Sequence, residues 1–307
     1  MDSYDVIIIG GGAAGLAGAT TLARARRSVL VIDSGRPRNA PAAGVHNYLA
    51  REGMAPLELL ATGRDELASY GGSVRVATVR DAAGDAESGF TVRLEDGATL
   101  RARRLLVTTG LVDELPDLPG LAEHWGSAVL HCPYCHGWEV RDRKIAVLGS
   151  SPLSWHQALM WSQWTKDLTF VLHDQPEPDA DQARMLATRG VRVVKGRVDR
   201  VAEEGGRLSG LVVDGEVVPA EAVVVAGFMR ARSEVLSSLG LHPADFRMGE
   251  HVVATHIPAE PTGLTSVPGV YVAGNVTNPG AQVIASAAAG MMAGASINME
   301  LIMADAR

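Results

Sequence analysis

Two stretches of the chain share one pattern, in which a short apolar run is followed by a turn, a helix-like segment and a second apolar run. The first stretch has apolar residues at 6–9, glycines between Gly10 and Gly15, and a second apolar run at 28–32. The second stretch has apolar runs at 144–149 and 168–173 around a helix predicted over 153–164. Continuous apolar runs of this length are typical of strands buried on both faces of a parallel sheet. The pattern therefore predicts two α/β units.

Alternation of apolar and polar residues predicts a different kind of strand, paired in an antiparallel meander. The strands predicted in this way cover residues 73–79, 90–94 and 105–107. The other predicted elements are strands over 191–194, 221–227 and 269–275, a hairpin at Asp214-Gly215, and a long alanine-rich helix from Ala281 to Met303. A run rich in Pro and Gly at 115–120 predicts a domain boundary. We predict an α/β fold of two Rossmann-like, three-layer nucleotide-binding domains with the second inserted in the first, namely 1–115 with 230–307, and 116–229.

The turn after the first apolar run fits the pattern Gly-x-Gly-x-x-Gly at Gly10, Gly12 and Gly15. In such a turn the first glycine allows a tight bend, the second lets the backbone approach a pyrophosphate, and the third lets helix and strand pack closely. Asp33 ends the next apolar run, where it is placed to accept hydrogen bonds from an adenosine ribose. The order of strand, glycines, helix, strand and acid predicts a dinucleotide site, for FAD or for NAD.

Composition narrows the classes of function. The 28 Lys and Arg residues face 35 Asp and Glu residues, a formal net charge of −7. This balance argues against a nucleic-acid partner, because such binding depends on neutralising phosphates. No stretch approaches the roughly 20 apolar residues that cross a bilayer, so we expect no membrane partner. The acidic start, with Asp2 and Asp5, differs from a signal peptide, and we expect a cytoplasmic protein.

The two cysteines of the chain, Cys132 and Cys135, form a Cys-x-x-Cys pattern that His136 follows. At the start of a helix this spacing lets two sulfurs approach bonding distance, and the helix N-terminus lowers a thiol pKa. One interpretation is thiol–disulfide exchange, with His136 as acid or base near neutral pH. A zinc site that includes His131 is a second interpretation, although chain-adjacent ligands do not easily form a tetrahedron. Two buried structural thiols are the third. The dinucleotide pattern in the same chain favours the redox interpretation, and we predict no metal site.

The chain resembles the low-molecular-weight thioredoxin reductase family nearly from end to end. The resemblance rests on Val6 to Asp33, Thr109-Gly110, the Cys-x-x-Cys before a second nucleotide-type unit, and 272–275 followed by Gln282-Val283. Within that superfamily the chain is most similar to the flavin-dependent dithiol oxidases of disulfide natural-product pathways, such as those of gliotoxin and holomycin. The features that carry this second resemblance are Cys-Pro-Tyr-Cys-His-Gly-Trp-Glu at 132–139, residues 156–159, Arg38-Asn39-Ala40 and His46-Asn47.

The resemblance implies FAD as cofactor, a homodimer, and a cysteine pair that exchanges with a substrate dithiol and passes two electrons to the flavin. It implies that Cys135 faces the flavin and that Cys132 exchanges with the substrate. His136 occupies the place of the family's acidic residue, Asn275 occupies the place of an Asp near the flavin, and Trp138 is a candidate wall of the substrate site. The implied cofactor contacts are Gly10, Gly12, Ala13, Ala14, Gly15, Asp33, Arg38, Asn39, His46, Asn47, Val76, Thr109, Gly110, Gly274, Asn275, Gln282 and Val283.

The second unit departs from the family where NADPH would bind. Its turn reads Gly149-Ser-Ser-Pro-Leu-Ser154, which keeps only the first glycine, and larger side chains at the other two positions would obstruct a pyrophosphate. The stretch 174–179 is acidic and lacks the arginines expected for a 2′-phosphate. The sequence therefore predicts a dithiol oxidase that closes a disulfide on a small-molecule dithiol and passes the electrons to O₂, giving H₂O₂.

Three alternatives remain open on the sequence. An NAD(P)H-driven thioredoxin or disulfide reductase would use the same cysteines in the opposite direction. A ferredoxin-linked reductase belongs to the same redox class. A non-catalytic flavoprotein redox sensor belongs to another class, and the intact cysteine pair argues against it.

Overall fold

A computed structural model describes residues 2–307 of the chain, which divide into two compact units. Unit 1 comprises the chain up to Ala40, Tyr48–Val112 and Met229–Arg307, and unit 2 comprises Pro41–Asn47 and Asp113–Phe228. The sequence-based division assigns 41–47 to the first domain. In the structure this segment packs with unit 2, where His46 and Asn47 contact the residues around the cysteines.

The helices and strands follow the chain in three blocks, of which the first and third belong mainly to unit 1. The first block contains β1 (Ser3–Ile9), α1 (Ala13–Arg24), β2 (Val29–Asp33), α2 (Pro56–Ser69), β3 (Ser73–Val76), β4 (Val79–Asp85), β5 (Gly89–Leu94), β6 (Thr99–Val107) and β7 (Leu111–Glu114). The second contains β8 (Val129–Leu130), α3 (Pro133–His136), β9 (Ile145–Leu148), α4 (Ser154–Trp161), β10 (Leu168–Val171), α5 (Ala180–Thr188), β11 (Arg192–Val194), β12 (Val198–Glu204), β13 (Arg207–Val213), β14 (Glu216–Pro219) and β15 (Ala222–Val224). The third contains β16 (Phe228–Ala231), α6 (Glu234–Ser237), β17 (Ala244–Met248), β18 (His251–His256), β19 (Val270–Val272) and α7 (Val283–Asp305).

The central sheet of unit 1 places β1 between β2 and β6, and both pairings are parallel. β3 extends the sheet beyond β2, and β19 lies beside β6, again in parallel. The predicted antiparallel pairing is correct for 90–94, which form β5 and pair with β4 and with residues 99–102 of β6. It is wrong for 105–107, which pair in parallel with β1 and β19. It is also wrong for 73–79, because β3 ends at Val76 and pairs in parallel with β2. A second sheet has the order β17-β18-β16-β7.

The first apolar run is apolar throughout because β1 is covered on both faces. Val6 and Ile8 pack against residues of α1, α2 and α7. Ile7 and Ile9 point the other way and pack with Phe90 and its neighbours on the antiparallel strands. All four residues of the run are at most 4% exposed. Helices on one face and antiparallel strands on the other make unit 1 a three-layer structure.

The long helix α7 lies against α1 at very short range. A Cβ on Gly290 would lie 1.9 Å from the carbonyl oxygen of Ala14, so only glycine permits this approach. Near its C-terminal end, the carboxylate of Glu300 accepts hydrogen bonds from Arg104 and from the hydroxyl of Tyr271, each at 2.8 Å. These contacts fix both halves of the helix to the central sheet and to α1.

The expectation that no segment reaches the length of a bilayer span is wrong for α7. This helix has 23 residues and is apolar enough to cross a membrane by length and composition, and a third (33%) of its most apolar stretch is buried. One such helix is weak evidence for a span, because a core helix passes the same test. The side of α7 that faces away from α1 carries exposed methionines, namely Met291, Met292, Met299 and Met303.

Unit 2 repeats the three-layer plan around a parallel sheet of order β11-β10-β9-β15-β8. Ala146 and Leu148 of β9 face the antiparallel strands β12 and β13, whereas Ile145 and Val147 face α4 and α5. Trp161 is fully buried on this second face. The predicted class, α/β with two Rossmann-like three-layer domains, is confirmed.

Candidate active site

The turn between β1 and α1 accepts only glycine at the first and last glycine positions of the Gly-x-Gly-x-x-Gly pattern, Gly10 and Gly15. Gly10 has a φ of +109°, and a Cβ there would lie 2.5 Å from the carbonyl oxygen of Thr108. A Cβ on Gly15 would lie 1.9 Å from the carbonyl oxygen of Gly10. The hydroxyl of Thr108, at the end of β6, donates a hydrogen bond of 2.8 Å to that same carbonyl. The neighbouring strand therefore holds the turn in a fixed shape.

The space in front of α1 is open, in contrast to the packed sides of the turn. A Cβ on Gly12 would meet no atom of residues 2–307 within 4 Å. Gly12 is the N-cap of α1, and no side chain forms a hydrogen bond with the cap. The first N–H groups of the helix, including those of Ala13 and Ala14, have no partner within the helix. Open space in front of such N–H groups suits a diphosphate.

Asp33 lies beside this space at the end of β2. Its Oδ1 accepts a hydrogen bond of 3.1 Å from the N–H of Gly11, which leaves Oδ2 as an acceptor for a ribose hydroxyl. A Cβ on Gly11 would lie 2.8 Å from Asp33 Cβ, so this close contact also requires glycine. Val76 pairs with Asp33 in the sheet and is 80% exposed. The pair offers an acid and an apolar surface side by side, as an adenosine requires.

The other cofactor residues predicted in unit 1 lie in turns and at helix starts. Arg38 and Asn39 are half-buried in the turn after β2. Thr109 donates its hydroxyl hydrogen to the carbonyl of Arg232 at 2.6 Å, and Gly110 has a φ of +73°. Gln282 is the N-cap of α7, and Val283 is its first residue.

Asn275 has a structural reason to be an amide. It lies in a short 3₁₀ helix, Gly274–Val276, and its Nδ2 donates to the carbonyl oxygens of Asn278, Pro279 and Ala281 at 3.1, 3.3 and 2.9 Å. An aspartate could not donate these bonds. The amide therefore ties together the loop before α7 and leaves Oδ1 as its remaining polar atom.

The cysteine pair lies at the start of α3, as the spacing predicts. Cys132 is the N-cap, and its carbonyl accepts hydrogen bonds from the N–H groups of Cys135 and His136, both at 3.2 Å. Both cysteines are half-buried. A Cβ on Gly137 would lie 2.5 Å from the carbonyl oxygen of Pro133, so the tight turn after the pair also requires glycine.

Histidines surround the cysteine pair. Burial lowers the pKa of His136 below its usual value, the Glu139 carboxylate opposes this shift, and His46 and His131 add to it. His46 Nε2 lies 3.4 Å from Glu139 Oε1. His131 Nδ1 lies 3.1 Å from the carbonyl oxygen of Val225. His136 is therefore neutral near pH 7 and able to accept a proton from a thiol.

Two residues predicted to contact the flavin are placed beside the cysteines. His46 contacts Glu139, and Asn47 donates a hydrogen bond of 2.6 Å from Nδ2 to the carbonyl of Tyr134. Both contacts lie within unit 2, and a flavin contact of these residues stays a prediction. Sequence reasoning missed Glu139 as a neighbour of His136, although its position three residues after His136 is a usable signal.

The turn between β9 and α4 in unit 2 is closed by its own serines. Ser154 Oγ accepts the N–H of Ser151 at 3.1 Å, and Ser151 Oγ accepts the N–H of Leu153 at 3.2 Å. Ser150 Oγ accepts the N–H of Ala226 at 3.2 Å. A Cβ on Gly149 would lie 2.1 Å from the carbonyl oxygen of Leu172, so this glycine serves packing. The N–H groups that would bind a diphosphate already have partners.

A cavity of about 250 Å³ lies at this end of the unit 2 sheet, and carboxylates contribute to its lining. Asp174 and Glu114 are the acidic lining residues, beside His173 and Phe228. Asp174 Oδ2 lies 3.0 Å from His173 Nε2, and Arg197 lies 4.0 Å from its Oδ1. The negative charge disfavours a phosphate. Among residues 2–307, no group of three or more His, Cys, Asp or Glu side chains is arranged to hold a metal ion.

An open glycine turn in one Rossmann-like unit and a Cys-x-x-Cys pair in a second define a dinucleotide-dependent thiol–disulfide oxidoreductase. Residues 4–294 match the model of the pyridine nucleotide-disulphide oxidoreductase family, and the chain belongs to that family. It is therefore an enzyme of a flavoprotein family, and its cofactor is FAD. The unit 1 residues fit this cofactor, because the open N-terminus of α1 and the Asp33 carboxylate match its diphosphate and ribose.

Relatives and solved structures give the same picture. The chain is 39% identical to thioredoxin reductase tcpT of Claviceps purpurea (strain 20.1) over 153 residues, which are 48% of this chain and 47% of that protein. It therefore matches about half the length of that relative. The chain is also 28% identical to thioredoxin reductase sirT of Leptosphaeria maculans. That alignment includes 98% of this chain and 95% of sirT.

Two of the solved structures that match nearly the whole chain illustrate the likeness. That of HlmI has a TM-score of 0.91 at 43% identity, covering 99% of this chain and 94% of HlmI. That of an oxidoreductase from Agrobacterium tumefaciens has a TM-score of 0.91 at 36% identity and covers 99% of both chains. The predicted thioredoxin reductase-like family is confirmed.

Proposed function

We propose that this enzyme is an FAD-dependent dithiol oxidase, which forms a disulfide in a small-molecule dithiol with O₂ as electron acceptor. The observation that carries the proposal is the difference between the two turns. The α1 turn is open to a diphosphate at Gly12, whereas the N–H groups of the α4 turn are bonded to Ser151 and Ser154. A cysteine pair with one dinucleotide site needs an electron acceptor other than a nicotinamide.

The proposed reaction balances without a nicotinamide. Two S–H bonds of the substrate break and one S–S bond forms, while the disulfide between Cys132 and Cys135 is reduced to two thiols. FAD, held at the Gly12 turn and Asp33, would supply the two-electron relay between these thiols and O₂, which leaves with two protons as H₂O₂. Each turnover consumes one dithiol and one O₂.

The two cysteines and His136 have different roles in the thiol–disulfide exchange. Cys132 receives the substrate thiolate, and Cys135 is the thiol on the flavin side. The neutral imidazole of His136 accepts the proton of a reacting thiol, since burial keeps its pKa low. The hydrogen bonds from the N–H groups of Cys135 and His136 to the carbonyl of Cys132 keep the two cysteines in one tight turn.

An NAD(P)H-dependent disulfide reductase is the second candidate. The name of the family and the names of tcpT and sirT favour it. The cavity of unit 2 occupies the carboxyl end of a parallel sheet, where nucleotides bind in such folds. The serine-bonded N–H groups and the carboxylates of Asp174 and Glu114 oppose it.

An oxygen electrode separates the two candidates. The purified flavoprotein is given dithiothreitol in air-saturated buffer, with and without NADPH, and H₂O₂ is measured with peroxidase. We expect one O₂ consumed and one H₂O₂ formed per dithiol, with no effect of NADPH. In the anaerobic protein, we expect the dithiol but not NADPH to bleach the flavin. Rapid bleaching by NADPH, together with slow reoxidation by air, would favour the reductase.

We also propose a cytoplasmic homodimer. The outward side of α7 supports self-association, because Met291, Met292 and Met299 form an exposed apolar patch on a helix that is fixed to its own unit. Sedimentation of the holoenzyme should give twice the chain mass of 32.3 kDa. Met299→Lys should shift the equilibrium to the monomer, and an unchanged monomeric mass for the parent protein contradicts the proposal.

A further inference from the structure

Exposed aromatic side chains are concentrated at the cysteine pair. Tyr134 is 57% exposed and Trp138 is 66% exposed. All five tryptophans lie in the part of the chain that the structure describes, and Trp138 is the one whose side chain is exposed. The backbone is still helical at Gly137, so Tyr134 and Trp138 lie one turn apart on the same side of the segment that carries the cysteines. Exposed rings at this place are a surface for a ligand.

Arg141 holds the exposed indole in a fixed position. Its guanidinium carbon lies 4.0 Å from the centroid of the Trp138 ring, within the range of a cation–π contact. Its Nη1 donates a hydrogen bond of 2.6 Å to the carbonyl of Trp138. One face of the indole is covered by the guanidinium, and the exposed fraction of the residue shows that the other face is open to solvent.

The charge of Arg141 is not balanced by a carboxylate. Within residues 2–307 no ion pair includes Arg141, although the chain carries a net charge of −7. Asp142, the next residue in the chain, forms no ion pair with Arg141, and Glu139, two residues before it, is paired with His46. The remaining guanidinium N–H groups can therefore donate to an anionic oxygen, for which Arg is the preferred partner.

We propose that Trp138 and Arg141 select the substrate, and that the preferred substrate is a small dithiol with an apolar body and a carboxylate. The open face of Trp138 packs against the apolar body, and Arg141 binds the carboxylate. Trp138 and Arg141 follow Cys135 by three and six residues, so a small substrate can place its dithiol, its apolar body and its carboxylate on this one segment. This inference rests on the proposed function, since it names the dithiol class that the oxidase takes.

Three probe dithiols separate the two contributions. Dihydrolipoate and dihydrolipoamide share a dithiol and a hydrocarbon chain and differ in a carboxylate against a neutral amide, whereas dithiothreitol has neither the chain nor the charge. We expect Arg141→Met to raise the KM of dihydrolipoate about three- to tenfold and to leave the other two KM values unchanged. We expect Trp138→Ala to raise the KM of both lipoyl substrates about tenfold and that of dithiothreitol by less, because dithiothreitol has no hydrocarbon chain to pack on the ring.

Matched controls come from the chain itself. Arg143 is an exposed arginine two residues further along, and Arg143→Met should not distinguish the probes. Arg24 lies 5.2 Å from the ring centroid of Tyr70, a second stacked arginine in unit 1, and Arg24→Met should also have no effect. Arg141→Lys should restore part of the preference for dihydrolipoate, because it keeps the charge and loses the planar donor.

A binding measurement keeps this inference separate from the oxidase reaction. In protein that carries both Cys132→Ser and Cys135→Ser, no thiol can open the ligand disulfide, and calorimetry with oxidised lipoate and lipoamide needs neither turnover nor O₂. Tighter binding of lipoate that Arg141→Met removes supports the inference even where no dithiol is turned over, in which case the proposed function alone fails. Equal binding of the two ligands, or an equal loss of both with Arg141→Met, overturns it. Turnover of reduced thioredoxin alone, lost with Trp138→Ala, would assign the surface to a protein partner and overturn it as well.

Discussion

In both units a buried parallel strand runs into a glycine, Gly10 in unit 1 and Gly149 in unit 2, and then into a helix. Each glycine lies so close to a neighbouring carbonyl oxygen that no side chain fits, at 2.5 Å from Thr108 and 2.1 Å from Leu172. The units differ in the next residues. Gly12 faces open space and leaves the helix N–H groups to a ligand, whereas Ser151 and Ser154 bind the corresponding groups of unit 2. The same fold therefore holds a cofactor in one unit and supports thiol chemistry in the other.

Removing a sulfur from unit 2 should give the largest effect and should leave unit 1 unchanged. Cys135→Ser is expected to lower kcat with dithiothreitol about a thousandfold or more, because the exchange needs both sulfurs. The flavin absorbance and the thermal stability should stay as in the parent protein. Substantial O₂ consumption by this variant would contradict a role for the pair in the reaction.

A negative charge in the open turn of unit 1 should separate cofactor binding from folding. Gly12→Asp has room for its side chain, but its carboxylate would meet the diphosphate, and we expect FAD affinity to fall about a hundredfold or more. Flavin content after dialysis and titration of the apoprotein measure this. Ser151→Asp is the matched change in unit 2 and should leave the flavin content unaltered. Equal flavin loss in both variants would contradict the conclusion that the cofactor binds at the turn of unit 1 and not at that of unit 2.

The glycine of unit 2 should matter for stability and not for binding. Gly149→Ala would place a Cβ 2.1 Å from a backbone oxygen, and we expect a loss of about 1–3 kcal/mol in the free energy of unfolding. Turnover with dithiothreitol at low temperature should be unchanged. Gly12→Ala, measured on flavin-free protein, is the control and should change stability by less than about 0.5 kcal/mol. Denaturant unfolding of both variants checks the difference.

The smallest expected effect concerns proton transfer in unit 2. Glu139 raises the pKa of His136 against the lowering effect of burial, so Glu139→Gln should lower that pKa further. His136 accepts a proton in its neutral form, and the acidic limb of kcat/KM should therefore move to lower pH, by up to about one unit. Glu216→Gln, an exposed change in the same unit, should leave the profile in place. A shift to higher pH would contradict the assigned role of His136.

The sequence predicted the parts of the molecule that depend on local patterns. The apolar runs gave the strands on both sides of each turn, the glycine spacing gave the α1 turn with Asp33, and the cysteine spacing gave the start of α3. The parallel pairing of β3 was missed, since alternation of residues is the same in parallel and antiparallel edge strands. The helix α2 was also missed.

Contacts between distant segments were beyond sequence reasoning. The sequence analysis attributed the closed turn of unit 2 to bulky side chains. In the structure, the hydroxyl oxygens of Ser151 and Ser154 accept hydrogen bonds from backbone N–H groups of that turn. The pairing of His46 with Glu139 joins residues far apart in the chain, so no spacing predicts it. The sequence analysis did not single out Arg141, because only its stacking on Trp138 sets it apart.

The tight packing of Gly149 against Leu172 bears on how relatives of this chain are sorted. A residue retained for steric reasons persists after its ligand has been lost, and its presence in an alignment says nothing about nicotinamide use. The informative positions are Ser151 and Ser154, whose hydroxyl oxygens accept the backbone hydrogen bonds that a bound phosphate would otherwise accept. Under the proposed function, relatives with hydroxyl residues at both positions are the ones expected to work without NADPH.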